Sequence, residues 1–373
     1  MLEEPTTDVD GEPISPLWGD SHDPGGPAVA RTVAGPEPLR RAARSERWLP
    51  RQIGRFHVIA GLGGGGMGEV FLSELRGPQG FRKRLAIKRL RPALGEDPSL
   101  IQLFVREALI ASRLLHPAVC QVHELGHDET DDTYFIVMEY LEGITLSRVL
   151  RDGAAARRRL PLPIVLRILS QICEGLHAAH ELRDDSGTPL GLVHRDVSPS
   201  NVMITADGRV KLLDFGVAKI DPVRTQTGVL RGKYGYMSPE QITGQRVDRR
   251  TDVFALGVLL FETLTGTRLF ARGGMPAIAH AILSEPAPDL RGHRDDVPAG
   301  IATVLERALA RDREQRFPTA AAFAEALLTA AEPVRPATAD KLAQLTLRVG
   351  DASQGDHAEE SAPRTLSRSP GSG

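Results

Sequence analysis

A glycine-rich stretch is the first part of this sequence whose residue types and spacing could do chemistry. Gly63, Gly65 and Gly68, followed by Val70, form a G-x-G-x-x-G-x-V pattern between two strand-like runs. Glycine has no Cβ atom, so backbone amides in such a loop can close over phosphate oxygens. Such turns are also common in plain hairpins, and neighbouring glycines permit another register, although Val70 favours this one. The candidate loop residues are Leu62, Gly63, Gly64, Gly65, Gly66, Met67, Gly68, Glu69 and Val70.

A lysine in an apolar strand-like run is the second such feature. Lys88 follows Leu85-Ala86-Ile87, and a buried ammonium without a partner is costly, so an anion must lie nearby. ATP phosphates would supply that anion. Glu107 lies in a stretch of helical periodicity, from Pro98 to Leu115, and is the natural ion-pair partner that would orient Lys88. The alternative is a pair of solvated surface charges.

Two motifs farther along the chain make the pattern specific. H-R-D-V-S-P-S-N runs from His194 to Asn201, and D-F-G runs from Asp214 to Gly216 after a hairpin signal with an Asp-Gly turn. With the glycine loop, the lysine and the glutamate, they follow the order found in protein kinases. The chain resembles bacterial eukaryotic-like (Hanks-type) serine/threonine kinases, whose glycine loops often read GGMGEV, as Gly65 to Val70 do. The resemblance runs from about Phe56 to Leu328.

The resemblance implies a catalytic role for each charged residue. Asp196 would accept the proton of the substrate hydroxyl, and Lys88 would hold the α- and β-phosphates of ATP. Asn201 and Asp214 would hold Mg²⁺, with Mn²⁺ as a substitute. The reaction passes through a loose transition state, so positioning and charge stabilisation matter more than a strong base.

An adenine pocket is also implied by the resemblance, at the sequence YFIVMEYLEG. Met138 would lie at the back of the pocket. The carbonyl of Glu139 and the amide of Leu141 would face the adenine edge. The implied apolar walls are Leu62, Val70 and Ala86.

Other family positions have structural roles by resemblance. Glu240 in Y-M-S-P-E would end the activation segment and pair with Arg316. Asp252 would steady the catalytic loop from a large buried helix. His177 and His180 are more simply helix-surface histidines than zinc ligands, since no further ligand cluster is visible in the sequence.

Two positions depart from the family. A lysine usually follows the catalytic aspartate by two positions, where this chain has Ser198, and a threonine usually occupies the position of Lys233. We hypothesise that Lys233 extends its ammonium towards Asp196 and the γ-phosphate, which makes it a candidate catalytic residue. The alternative is that Lys233 points to solvent and the enzyme is slow.

Regulation by phosphorylation is a further implication. Arg195, beside the catalytic aspartate, implies a phosphate partner in the activation segment, for which Thr225 and Thr227 are the candidates. Autophosphorylation, through a transient dimer, would then order the segment. An unmodified exposed loop is the alternative.

Composition divides the chain into one folded domain and two arms. Residues 1–52 are rich in Pro, Gly and acids and predict a disordered arm. Residues 53–330 predict an α+β, two-lobed kinase domain: a small antiparallel β-rich N-lobe with one main helix, at about 53–139, and a larger, mostly helical C-lobe, at about 143–330. Residues 331–373 predict a flexible tail.

Bulk properties argue against several classes of partner. The net charge of −2 and the pI of about 6.6 give no global field for nucleic acid or a membrane surface. Cys120 and Cys173 are the two cysteines, and buried free thiols in a reducing cytoplasm are the simplest interpretation. The start lacks the features of a signal peptide, and the apolar run from Val253 to Phe261 is shorter than the roughly 18 residues of a membrane span.

Three alternatives compete with a serine/threonine kinase that acts on other proteins and on itself. A nucleotide-binding pseudokinase scaffold is motivated by Ser198 and Lys233, although the other catalytic residues are all present. A small-molecule phosphotransferase would lack the activation segment that ends in S-P-E. Tyrosine specificity is less expected, because Ser198-Pro199 differs from the alanine-arginine loops of tyrosine kinases.

Overall fold

The computed structural model describes residues 50–64, 68–95, 97–215, 234–286 and 288–359, without the side chains of 93 and 350–359. The strands in these ranges are β1 (Gln52–Ile53), β2 (Phe56–Gly64), β3 (Gly68–Arg76), β4 (Arg82–Leu90), β5 (Val122–Asp128), β6 (Thr133–Glu139), β7 (Gly143–Thr145), β8 (Val202–Thr205) and β9 (Val210–Leu212). The helices are α1 (Pro98–Ser112), α2 (Leu146–Ala155), α3 (Leu162–His180), α4 (Pro239–Ile242), α5 (Arg250–Thr265), α6 (Met275–Ser284), α7 (Leu290–His293), α8 (Ala299–Ala308), α9 (Ala320–Ala330) and α10 (Ala339–Glu359).

The N-lobe is an antiparallel sheet with the strand order β1-β2-β3-β4-β6-β5. Successive side chains of a strand point to opposite faces, and β4 shows what this does for the site. Leu85 and Ile87 pack on one face, against Phe135 of β6. Lys88 and Leu90 therefore point to the other face, where Leu90 packs against α1. Strand alternation thus directs Lys88 towards the helix.

The position of α1 is fixed at its start and along its buried face. Asp97 caps the helix by accepting a hydrogen bond from the backbone N–H of Ser99, at 2.9 Å. Phe104 and Ala108 lie on the face that packs against the sheet and are buried. Glu107 lies on that face too, because residues three and four apart share one side of a helix. The predicted helix is confirmed, with its end at Ser112.

The C-lobe is built around α5, which is buried on all sides from Thr251 to Thr265. A helix that is buried on all sides belongs to the core, and α5 packs against α3, α8 and α9. The predicted buried helix is thus confirmed. Among the described residues, no helix is both long enough and apolar enough to cross a membrane.

A three-stranded sheet, in the order β7-β8-β9, lies next to the cleft. Val202 and Ile204 of β8 are buried in the C-lobe core. Met203, which lies between them, points to the opposite face, where it is partly exposed. This sheet places the catalytic loop, which precedes β8, and Asp214, which follows β9, at one edge of the C-lobe.

The chain beyond residue 330 differs from the predicted flexible tail, at least as far as Val349. Helix α10 packs against β7 and β8, and Leu342, Leu345 and Val349 are buried in the C-lobe core. Gly208, in the β8–β9 turn, has φ of 75°, and a Cβ atom there would lie 1.9 Å from the carbonyl oxygen of Ala339. The apolar residues follow helical spacing, and the Ser-, Gly- and Pro-rich composition that predicts flexibility begins only after them.

Candidate active site

Lys88 joins two acidic side chains at the centre of the cleft. Its Nζ lies 2.7 Å from Oε1 of Glu107 and 3.0 Å from Oδ1 of Asp214. Burial disfavours the charged lysine, but the carboxylates of Asp214 and Glu107 outweigh it and raise the pKa of Lys88. The pair predicted between Lys88 and Glu107 is present in the structure, and the lysine is held as a cation.

Asp196 and Asn201 are linked directly in the catalytic loop. The amide nitrogen of Asn201 donates hydrogen bonds to the backbone oxygen of Asp196, at 2.9 Å, and to its Oδ2, at 2.8 Å. This bond direction assigns the Nδ2 atom to Asp196, so the side-chain oxygen is the atom through which Asn201 would bind a cation. Asn201 is buried in a single 3₁₀ turn, Pro199–Asn201, so its position is set by the loop itself.

The backbone that carries Asp196 is held by a buried carboxylate from α5. Asp252 accepts hydrogen bonds at 2.8 Å from the N–H groups of His194 and Arg195 and from Nε2 of His180. Burial opposes ionisation of Asp252, but the hydrogen bond from His180 and its other partners keep the pKa below its usual range. Arg195 has φ of 64°, a conformation that these bonds stabilise. The role predicted for Asp252 agrees with this geometry.

His180 is not the surface histidine that the sequence predicts. It is 1% exposed, at the end of α3, and its ring faces Asp252. The sequence signal was available, because His180 follows the buried apolar face of α3 by helical spacing. No group of three or more His, Cys, Asp or Glu side chains able to hold a metal occurs among the described residues.

Phe215 anchors the aspartate that precedes it. The ring is 3% exposed and packs with Ile110 of α1, with Leu114 just after that helix, and with Leu192. Its centroid lies 4.7 Å from that of the His194 ring. Phe215 thus lies under α1, on the side of the cleft where Asp214 reaches Lys88.

The residues predicted to line an adenine pocket lie on neighbouring strands of the N-lobe and near the segment that follows them. Ala86 pairs with Met138 across β4 and β6, and Val70 pairs with Lys88. Leu62 packs near Tyr140, in the segment that connects the lobes. Met203 of β8, which the sequence did not single out, lies on the strand face opposite the buried Val202 and Ile204.

Glu139, the last residue of β6 before the segment that connects the lobes, contacts the C-lobe through its carboxylate. Its carboxylate contacts Nζ of Lys211, on β9, and accepts a hydrogen bond at 2.8 Å from the N–H of Gln121. The N–H of Glu139 donates to the carbonyl of Gln121 at 2.9 Å. Leu141, predicted with Glu139 and Met138 to face adenine, is half-buried in the same segment.

The glycine loop is described only at its two ends. Gly63 pairs with Val70, and Gly64 pairs with Glu69, so the ends of β2 and β3 lie side by side. At Gly68 a Cβ atom would lie 2.6 Å from the carbonyl oxygen of Arg89, which no side chain could tolerate. Gly65, Gly66 and Met67 lie outside the described residues.

Of the two positions that depart from the family, Ser198 lies within the described residues. It is 1% exposed, and its Oγ lies 3.0 Å from Oγ of Ser200. Lys233 and the candidate phosphorylation sites, Thr225 and Thr227, lie outside the described residues.

A sequence model of the protein kinase domain matches residues 56–328 of this chain. The chain belongs to the protein kinase family. The match agrees with the range from Phe56 to Leu328 over which the resemblance was predicted, and the α+β two-lobed fold of this kinase is confirmed.

Curated bacterial kinases are similar to this kinase over most of its length. A tyrosine-protein kinase of Myxococcus xanthus, MasK, is 46% identical over 283 residues, which cover 75% of this chain and 44% of the relative. The serine/threonine-protein kinase PknB of Mycolicibacterium smegmatis is 38% identical over 291 residues, covering 76% and 44%. The resemblance to bacterial eukaryotic-like kinases is confirmed, and this chain spans less than half the length of these relatives.

A solved structure shows the same architecture. The crystal structure of the Mycobacterium tuberculosis PknI kinase domain superimposes with a TM-score of 0.59 at 31% identity. The alignment covers 76% of this kinase and 99% of that domain.

Two further acidic residues of this kinase hold the end of the activation segment, Glu240 from within it and Glu262 from α5. Glu240 accepts two hydrogen bonds from Arg316, at 2.8 and 2.9 Å, as predicted, and these bonds keep the pKa of Glu240 below its usual range despite burial. Glu262 accepts a hydrogen bond from the hydroxyl of Tyr236 at 2.5 Å. Burial raises the pKa of Glu262 to about 6. Tyr236, Glu262 and Arg268 line a cavity of about 360 Å³.

Proposed function

We propose that this chain is a protein kinase that transfers the γ-phosphate of Mg-ATP to serine or threonine hydroxyls of proteins. The observation that carries the proposal is the cluster around Lys88, whose ammonium contacts both Glu107 and Asp214 while Asn201 binds Asp196. This cluster combines a cation for phosphate, oxygen ligands for a divalent cation and a carboxylate for the hydroxyl proton, all within one cleft.

The residues present suit ATP and a divalent cation. Asp214 is 42% exposed on its side chain, which makes a carboxylate available to a hard cation. Lys88 is 13% exposed and points from an apolar strand into the cleft, as a phosphate ligand must. A bound Mg²⁺ would neutralise charge that develops on the transferred phosphoryl group, and Mn²⁺ has similar ligand preferences.

The chain's own residues account for the reaction step. The substrate hydroxyl oxygen forms a bond to the γ-phosphorus as the bond to the β-bridging oxygen breaks, and ADP leaves with that electron pair. Asp196 orients the hydroxyl and accepts its proton. Asn201 holds the carboxylate of Asp196 in place, and Lys88 orients the phosphates. Positioning therefore supplies most of the rate enhancement.

Tyrosine is the second candidate acceptor, and one observation favours it. The relative at 46% identity is named a tyrosine-protein kinase, whereas relatives at 35–38% identity are named serine/threonine-protein kinases. Ser198 replaces the lysine usual in serine/threonine kinases and is buried rather than directed to solvent. The motif S-P-S-N is unlike the loops of tyrosine kinases, and for this reason we retain the serine/threonine assignment.

The proposal extends to three residues outside the described ranges. Lys233 supplies the positive charge that Ser198 lacks, and Thr225 and Thr227 are autophosphorylated in a transient dimer. Lys233→Met should lower the rate of transfer, and unchanged activity would remove that role. Mass spectrometry of active enzyme should find phosphate on one of the two threonines.

The buried free thiols of Cys120 and Cys173 suit a reducing cytoplasm.

One experiment tests the function and the acceptor together. Transfer of labelled γ-phosphate to a generic basic protein and to the kinase itself is measured with Mg²⁺, followed by phosphoamino-acid analysis. Label on serine or threonine supports the proposal, and label on tyrosine replaces it with the second candidate. ATP binding without transfer would favour the scaffold alternative.

Matched variants show whether the label comes from this site. Asp196→Asn keeps the shape of the side chain and removes the base, so transfer should be lost. Asp185→Asn makes the same change at an exposed position before the catalytic loop and should leave transfer unchanged. Label that survives in the Asp196 variant would come from a contaminating kinase.

A further inference from the structure

The peptide group between Arg195 and Asp196 is hydrogen-bonded through both its N–H and its C=O. The N–H of Asp196 donates to Nδ1 of His194, at 3.2 Å. The carbonyl of Arg195 accepts a hydrogen bond from Nε2 of Gln241, at 3.1 Å. Rotation of this peptide plane would turn the catalytic carboxylate, so both bonds bear on its direction.

Gln241 differs from the other residues that hold this loop because it lies on a different segment. It follows Ser238, Pro239 and Glu240 in the short helix α4, directly after the activation segment. Asp252 and His194, by contrast, belong to the core helix α5 and to the loop itself. If the end of the activation segment moves, Gln241 moves with it, and its hydrogen bond to the catalytic loop is lost.

The other end of the same amide fixes the activation segment. The N–H of Ser238 donates to Oε1 of Gln241 at 3.0 Å, and the hydroxyl of Ser238 lies 3.4 Å from that oxygen. Ser238 is fully buried, so its N–H needs a partner inside the protein. One side chain thus accepts from the activation segment and donates to the catalytic loop.

We infer that Gln241 is a positioning residue, which sets the direction of Asp196 through the carbonyl of Arg195 and couples it to the end of the activation segment. The inference rests on the proposed kinase function. An amide is required, because a single planar group must present an acceptor to one segment and a donor to the other. Displacement of Ser238 would withdraw the donor from Arg195 and loosen the catalytic aspartate.

Two substitutions of similar length separate this role from simple helix capping. Gln241→Glu keeps an acceptor for the N–H of Ser238 and remains suited to capping α4, but it offers no donor to the carbonyl of Arg195. Gln241→Met removes both groups. Gln245→Glu, at an exposed position of the same segment, is the matched control for the added charge.

The expected result is a fall in kcat for both Gln241 variants, by about tenfold to a hundredfold, with KM for ATP within about twofold of wild type. The Glu variant should be at least as slow as the Met variant, because its carboxylate faces a carbonyl oxygen. A Glu variant with wild-type kcat, beside a slow Met variant, would overturn the inference, since capping alone would then explain the contact.

Hydrogen exchange gives a second readout that does not need activity. Peptides that span residues 192–200 should exchange faster in both Gln241 variants than in wild type and the Gln245 control. Unchanged exchange in these peptides would also overturn the inference. A wild-type protein without phosphotransfer would refute the proposed function instead. The exchange measurement would still test whether Gln241 links Ser238 to the carbonyl of Arg195.

Discussion

Two ion pairs of this kinase, one in the cleft and one in the C-lobe, use the same chemistry in different surroundings. In the cleft, Lys88 contacts Glu107 and Asp214, whose side chain is 42% exposed. In the C-lobe, the side chains of Arg316 and Glu240 are 0% and 4% exposed. Arg316 also donates to backbone carbonyls, including that of Ala310 at 2.7 Å. The second pair is satisfied wholly by the protein.

The difference in exposure separates charged side chains that can bind ligands from charged side chains that stabilise the fold. A cation that is to hold phosphate must keep a side open to the cleft, and its carboxylate neighbours must be able to accept another cation. A fully enclosed pair has no such capacity, and its burial makes either partner costly to lose alone. We therefore expect substitutions in the cleft to change rate, and substitutions at Arg316 or Glu240 to change stability.

The largest effect should come from Arg316→Met. Glu240 would remain buried without its partner, and we expect a loss of about 3–5 kcal/mol in the free energy of unfolding, measured in urea. The double variant with Glu240→Leu should recover part of this loss. A single variant as stable as wild type would contradict the assignment of this pair to support.

Asp214→Asn should have nearly as large an effect, but on rate alone. The amide removes a charged ligand for the divalent cation while the pair of Lys88 and Glu107 remains, so kcat should fall about a hundredfold to a thousandfold. Thermal unfolding without nucleotide should stay within about 2 °C of wild type. A large fall in melting temperature would mean that the cleft cluster also supports the fold.

Glu262 is a buried carboxylate that accepts a hydrogen bond from the Tyr236 hydroxyl, whereas Glu240 accepts from Arg316. Its pKa is raised from 4.5 to about 6, so its neutral form stabilises the fold fully below pH 4.5, and that contribution is lost as the pH rises through about 6. As the pH rises from about 4.5 to 7.5, the free energy of unfolding of Glu262→Gln should therefore increase by about 2 kcal/mol relative to that of wild type. Unfolding curves at several pH values measure the difference, and parallel pH profiles would contradict the shift.

The smallest effect is expected at an exposed pair. Arg55 and Glu124 form a 2.5 Å contact with side chains 65% and 35% exposed. Solvent screens such pairs, so Glu124→Gln should change the free energy of unfolding by no more than about 1 kcal/mol. A larger change would show that exposure is a poor guide to the role of ion pairs in this kinase.

Much of the fold and of the site could be predicted because local sequence specifies them. The β4 lysine and the glutamate of α1 lie on elements whose periodicity is readable. The D-F-G motif marks the aspartate, and the structure brings these three together. The pairing of Glu240 with Arg316 could be predicted only through the family. Composition alone would not join positions so far apart in the chain.

Other contacts could not be predicted because they depend on how separate elements meet. Helical spacing places His180 on the buried face of α3, but the sequence does not show that its ring meets Asp252 of α5. Gln241 has no signal in the sequence, since its partner carbonyl belongs to a distant loop. Helix α10 was missed because a flexible composition after residue 350 obscured the apolar positions before it.

Helix α10 sets a practical limit on how this protein can be shortened. The kinase family match ends at residue 328, yet Leu342 and Leu345 are fully buried against the C-lobe. A recombinant fragment cut at the family boundary would leave the partners of these leucines exposed to water, beside β7 and β8. Uncovered apolar surface of this kind promotes self-association, so an expression fragment needs to extend at least through Val349.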